Sequence, residues 1–152
     1  MGDFGELTQL SHDESLRLLA SVPVGRLIFT VNALPAVRVM NFALVGELIV
    51  LRTAADSTTA RKASGGVVAF EADELDATTC SGWSVTVTGR AALVTELAAI
   101  TRYQAVPLVP WAPGTRDTFV TITTDLAEGR RVRRPVVAAD RGVTGTTEPA
   151  ER

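Results

Sequence analysis

The run GWSVTVTGRA, residues 82–91, alternates with a period of two: Trp83, Val85 and Val87 share one parity, and Ser84, Thr86, Thr88 and Arg90 share the other. A β-strand sends successive side chains to opposite faces, so this segment presents one apolar and one hydroxyl-rich face. A helix would wind the valines around its circumference. The run therefore predicts a long strand with a core on one side, and its neighbours must supply the rest of that core.

The remaining chain offers such neighbours. SHDESLRLLASV predicts a first helix, with Ser11 and Glu14 spaced for a capping box and Pro23 closing it. GRLIFTV, PAVRVMNFAL and ELIVLRT follow as three strands separated by turns at Asn32–Leu34 and near Gly46, a meander of hairpins. AADSTTARKASGG predicts one short helix capped by Asp56 or Ser57. VVAFEAD is a fourth strand, ELDATTCSG a loop, and the opening segment a fifth and longest strand running to about Val94. TELAAITRY predicts a helix, VPLVPWAPGTRD an irregular, partly apolar loop, and TFVTITT with GRRVRR a closing hairpin. The expected architecture is mainly β with short helices: six or seven antiparallel strands forming a small barrel or sandwich. Residues 1–134 make one domain and residues 135–152 a flexible tail.

Composition narrows the chemistry. With 46% hydrophobic and 21% charged residues, and no apolar run of membrane-spanning length, a soluble protein without a membrane role is expected. The acidic N-terminus does not read as a secretory signal, which makes a cytoplasmic location the expectation. The formal net charge of −2 gives no general attraction to nucleic acid. Cys80 is the sole cysteine, expected as a half-buried structural thiol. His12 is the sole histidine and lies in the first helical turn, so no histidine triad or zinc site is expected. Glu71, Asp73, Glu74 and Asp76 read as a solvated acidic loop. No catalytic side chain stands out, and no metal site; hard chemistry here points to an organic cofactor.

The best anion site joins Arg52 and Thr53 at a strand end to Ser57, Thr58 and Thr59, with Arg61 and Lys62 one turn on. Hydroxyls, helix-start amides and cations together suit a phosphate, and a capped surface helix would look the same.

The order of VGRL, VMNF, LRTA, VVAFEAD, GWSVTVTGRA, PWAPG and GRRV resembles the pyridoxamine 5'-phosphate oxidase-like family of flavin-binding split β-barrels, over about Leu10 to Val132. That resemblance implies a split-barrel homodimer with FMN in clefts between subunits and an oxidoreductase acting on a small molecule. It places Val39, Met40 and Asn41 along the isoalloxazine ring, and Arg52, Thr53, Ser57 and the segment to Lys62 at the ribityl phosphate. Trp83 and Ser84 would stand near the pyrimidine end, with Gly82 permitting a tight entry that sets Trp83 at the pocket's rim; plugging one barrel end is the alternative role for Trp83. Trp111 would reach towards the partner's site. The chain departs from the family pattern where relatives carry a glycine and a lysine after RTA: here Asp56 and threonines stand, leaving Arg61 or Lys62 to compensate. AEGRRVRRP has no counterpart of the oxidase's substrate-phosphate arginine and histidine, which argues against a true pyridoxamine phosphate oxidase. Within the same resemblance, coenzyme F-420 is an alternative cofactor whose acidic tail would suit Arg130 and Arg131, residues that a solvated edge strand would equally carry. A non-catalytic binding or sensing protein is the alternative outside enzymes.

Overall fold

The computed structural model describes residues 5–63 and 65–135. Its strands are β1 (Glu6–Leu10), β2 (Val24–Val31), β3 (Leu34–Val45), β4 (Leu48–Thr53), β5 (Val67–Asp76), β6 (Ser81–Leu93), β7 (Thr118–Thr123) and β8 (Leu126–Arg133). Two α-helices, α1 (His12–Leu19) and α2 (Leu97–Gln104), and a π-helical turn at Thr59–Ala63 complete the described elements.

Local chemistry sets these boundaries. The Glu14 amide donates to Ser11 Oγ at 3.2 Å, capping α1 as expected. Asn32 and Ala33 take φ values of +50° and +64°, forming a two-residue turn whose twist suits a hairpin and which brings Val31 opposite Leu34. Strand β6 keeps its predicted alternation: Trp83, Val85, Val87 and Ala91 are buried, while Ser84, Thr86 and Thr88 are half-buried and Arg90 is exposed.

The strands run antiparallel in the order β6-β5-β2-β3-β4-β7, and β7 pairs back onto β6 to close a six-stranded barrel. Beyond β6 the sheet continues through β8 to β1. The interior holds Leu27, Phe29, Phe42, Ile49, Leu51, Phe70, Val85, Val87, Val120 and Ile122, with the Phe42 and Phe70 rings edge to face at 4.8 Å. Each such side chain contributes about 1.5–3 kcal/mol by leaving water. Leu16 and Leu19 of α1 join this core.

Strand β6 serves two partners. Gly82–Thr88 pair with β8, and Ala91–Leu93 pair with β7. At the changeover a Cβ on Gly89 would strike the Thr123 carbonyl oxygen, so only glycine lets the strands meet there. Gly82 has φ +147° and a Cβ there would strike the Glu74 carbonyl oxygen, which explains the glycine before Trp83.

Several expectations are corrected. The barrel has the expected six strands, but the sheet runs on beyond it through β8 to an unexpected strand, the polar segment Glu6–Leu10. TFVTITT and GRRVRR do not form a hairpin with each other; both pair with β6, on successive stretches. Arg130 and Arg131 therefore do not lie on an edge strand, since β8 is flanked by β6 and β1. The acidic segment is no loop: β5 runs through Asp76, whose carboxylate accepts the Thr78 and Thr79 amides at 2.8 and 3.2 Å and is held below the usual carboxylate range by them. The short helix after β4 is π-helical. Cys80 sits exposed in the following turn at φ +50°. The tail from residue 136 onward lies outside the described residues.

Candidate functional site

A second, smaller apolar cluster fixes the site. Strand β4 is buried on both faces: Ile49 and Leu51 enter the barrel, while Val50 faces outward against Tyr103, Leu108 and Phe119. That contact anchors α2 and the start of the 105–117 loop over β4 and β7. Arg52, two residues beyond Val50, shares its outward face and lies opposite Phe119 in register, so the returning loop must pass it.

Two polar contacts pin the loop. The Trp111 amide donates to Asn41 Oδ1 at 2.9 Å, and Arg52 Nε donates to the Arg116 carbonyl at 2.6 Å. Asn41 Nδ2 in turn donates to the Pro23 carbonyl at 3.4 Å. Arg52 Nη2 lies 3.7 Å from Asp117 Oδ1, and its guanidinium carbon lies 5.6 Å from the centre of the Phe119 ring. Between the pins is a cavity of about 90 Å³, bounded by Val39, Met40, Asn41 and Arg52 of the barrel and by Pro110, Ala112 and Arg116 of the loop. Arg116 Nε is buried and has no acceptor among the described residues. A guanidinium N–H cannot lose its proton at any ordinary pH, so this donor calls for an anion or a lone pair. A wider groove of about 400 Å³ lies between the end of α1, β3 and Val106–Pro107, but its lining carries no charged side chain.

The structure brings together Val39, Met40, Asn41 and Arg52 of the expected set, with Trp111 beside them and 73% exposed. The other expected phosphate ligands do not line this cavity. Thr53 is buried and donates to Ser57 Oγ at 2.9 Å, while Ser57 Oγ accepts the Ala60 amide at 3.0 Å. Those hydroxyls tie β4 to the π-helical turn. Thr59 is buried, Thr58 half-buried, and Arg61 and Lys62 are exposed. Trp83, 7% exposed, packs in the core and borders a shallow depression with Arg131–Arg133; Ser84 faces the other way, between Asp73 and Arg130 in register. Arg116 went unrecognised in the sequence because only the fold of an irregular loop carries it to Arg52. The faint signal was an arginine within a Pro- and Gly-rich segment of an otherwise polar-poor stretch.

A second charged group lies nearby on the outer barrel face. Arg26 of β2 sits 3.6 Å from Glu71 and 3.4 Å from Asp73, both on β5. Burial, and then the adjoining Asp73 carboxylate, push Glu71 up to about 7, only partly offset by Arg26. Arg26 is opposite Val39 in register, one strand from the cavity.

Known proteins place the architecture in context. The family model described as pyridoxamine 5'-phosphate oxidase matches residues 11–133. A Mycobacterium tuberculosis protein, the uncharacterized protein Rv0080, is 42% identical over 132 residues, covering 84% of this chain and 86% of the relative. An FAD binding protein from Mycobacterium smegmatis is 33% identical with a TM-score of 0.71, covering 83% of this chain and 98% of that one. A FAD-binding protein from Mesorhizobium loti shares the fold at 18% identity and a TM-score of 0.69, over 86% of this chain and 99% of that one.

Proposed function

The chain belongs to the pyridoxamine 5'-phosphate oxidase family, and on that premise we propose that it binds a flavin, FMN, and serves as an oxidoreductase on a small molecule. The observation that carries this reading is a small cavity lined by two arginines at the foot of an exposed apolar strand. Val39 borders the cavity and is 70% exposed, and Val37, of the same parity, continues the exposed apolar face along β3. A planar ring laid on such a shelf sheds water from one face only. The cavity within one chain is far too small to enclose the ring, so a second copy of the chain is the cover we assign to the other face, giving a homodimer with Trp111 projecting beside the seam.

Bound FMN supplies hydride acceptance and donation at its ring. The chain's own share is binding and orientation. Arg52 and Arg116 present cationic donors to the phosphate, and the loop pinned by Asn41 keeps them in place. Met40 and Val39 offer the apolar shelf that fixes the plane of the ring. The FAD named for the Mycobacterium smegmatis relative supports a flavin and leaves its phosphate tail to experiment.

Side-by-side fluorescence titrations with FMN, FAD and coenzyme F-420, with size-exclusion mass measurement, test the reading. Saturable FMN binding at one per subunit in a dimer is expected. Tighter binding of another cofactor would reassign it, and no response to any of the three would overturn it.

A further inference from the structure

Resting on the dimer assigned above, we infer that its assembly is coupled to proton uptake by Glu71, so that acidity controls whether two copies close over the β3 shelf. The register shows what the second copy must cover. Val37, Ile28, Ala69, Thr88 and Leu126 stand opposite one another in turn across β3, β2, β5, β6 and β8. In the next row stand Val39, Arg26, Glu71, Thr86 and Glu128. All of these point away from the barrel core. Val37, Val39 and Leu126 are exposed, and a monomer rarely leaves so continuous an apolar surface to water. The carboxylates of Glu71, Asp73 and Glu128 on this face would repel a nucleic acid or an anionic membrane. A second copy instead brings the same apolar row, and at Glu128 and Arg130, two residues apart on β8, it brings both signs of charge.

The charges are unevenly placed. Strand β5 is the middle one of the five, and there Arg26 Nη1 lies 3.6 Å from Glu71 and 3.4 Å from Asp73. Strand β6 places only Thr86 beside Glu71 in register, and β3 places Val39 beyond Arg26. The next charges are Glu128 and Arg130, one strand further off on β8, and Arg90, opposite Val67 two rows away. The Arg26, Glu71 and Asp73 trio therefore holds one carboxylate more than it has cations. When two copies are laid face to face, both trios lose water, and burying an unpaired carboxylate costs far more than burying a carboxylic acid. Glu71 is the group that yields, because burial and then Asp73 already push it up to about 7 in the single chain. Closing the face raises it further. The dimer then holds more protons than two separate chains do, so association strengthens as pH falls through 7 and weakens above it.

Sedimentation velocity of the full chain, in dilution series at about pH 6, 7 and 8.5, measures the coupling. The wild-type dissociation constant is expected to rise roughly 10- to 100-fold from the lowest to the highest pH. Glu71→Gln, a neutral isostere of the protonated side chain, is expected to dimerise at every pH as tightly as the wild type does at the lowest. Asp73→Asn leaves one carboxylate to one guanidinium; it is expected to lose most of the pH dependence and serves if the glutamine variant fails to fold. Glu128→Gln, on the same face but outside the trio, is expected to keep the wild-type slope. A wild-type dimer whose dissociation constant ignores pH, or falls as pH rises, overturns the inference and leaves the dimer standing. So does a slope kept in both Glu71→Gln and Asp73→Asn, or lost in Glu128→Gln. A wild type that is monomeric at every pH removes the dimer, and the inference with it.

Discussion

On the β2–β5 face two carboxylates, Glu71 and Asp73, share the single guanidinium of Arg26, whereas at the 105–117 loop two guanidiniums, Arg52 and Arg116, line one cavity and only Arg52 faces a carboxylate, that of Asp117. The two groups are separated by one strand, and both are partly shielded from water. Their surpluses have opposite remedies. A carboxylate in excess can take up a proton, and Glu71 does so close to neutrality, at about 7. An arginine in excess cannot release one, so its spare donors are met from outside the chain, by water or by an anion. Which partner is outnumbered, rather than how many ion pairs are formed, separates the group that can take up a proton from the group left with spare donors.

Removing Arg26 would break the first arrangement most severely. Arg26→Ala leaves two carboxylates side by side with no counter-ion, and we expect a loss of about 2 kcal/mol at pH 8. Urea unfolding should show a clearly smaller loss at pH 5.5, where Glu71 carries a proton; equal losses at both pH values would mean that the carboxylates do not repel.

Glu71 itself gives the next effect. Its folded pKa of about 7 lies above its ordinary value of 4.5, so between those values the folded state binds more protons than the unfolded chain. Stability contributed by that proton is fully present below about pH 4.5 and is lost as pH rises through about 7. Because the group keeps some contact with solvent, we expect about 1–2 kcal/mol across this window. Glu71→Gln should flatten that part of the stability curve in thermal melts from pH 4.5 to 8 and stabilise the protein at the alkaline end. A wild-type slope retained in the variant would assign the pH dependence elsewhere.

Asp117→Asn should have the smallest effect and act on the second arrangement alone. Asp117 is 69% exposed, and removing its charge leaves the guanidiniums with no internal counter-ion. Phosphate-bearing flavin should bind about two- to fivefold tighter at low salt, with the gain fading as salt is added. Calorimetric titration at two ionic strengths measures it, and a gain that ignores salt would point to a change of loop shape.

The barrel was legible wherever a strand buries one face. The alternation of Trp83, Val85 and Val87, the turn residues Asn32 and Ala33, and the cap at Ser11 each state their role within a few residues. Strand β1 was not legible, because ELTQL is short and polar and is held by pairing with a segment over a hundred residues away. The supposed hairpin of β7 and β8 failed for a related reason: a turn signal tells where a chain reverses, not whether the flanking strands pair, and β6 had room for both. At the cavity, Val39, Met40 and Asn41 were named only through the family resemblance, and Arg52 also from its place at a strand end beside the hydroxyl-rich turn. Thr53 and Ser57 were expected to face a ligand but bond to each other, a preference fixed by side-chain geometry that spacing does not encode. Arg116 needed the packing of Tyr103 and Leu108 on Val50 before its position meant anything.

The laying of β1 along β8 makes the outer side of Glu6–Leu10 the margin at that end of the described sheet. That margin is five residues long and its side chains are mostly polar. It offers an incoming chain few backbone groups to pair with and little apolar surface to bury, so growth of the sheet from one molecule into the next is discouraged at this end. The least conspicuous strand thus works as a stopper on the β8 side of the sheet.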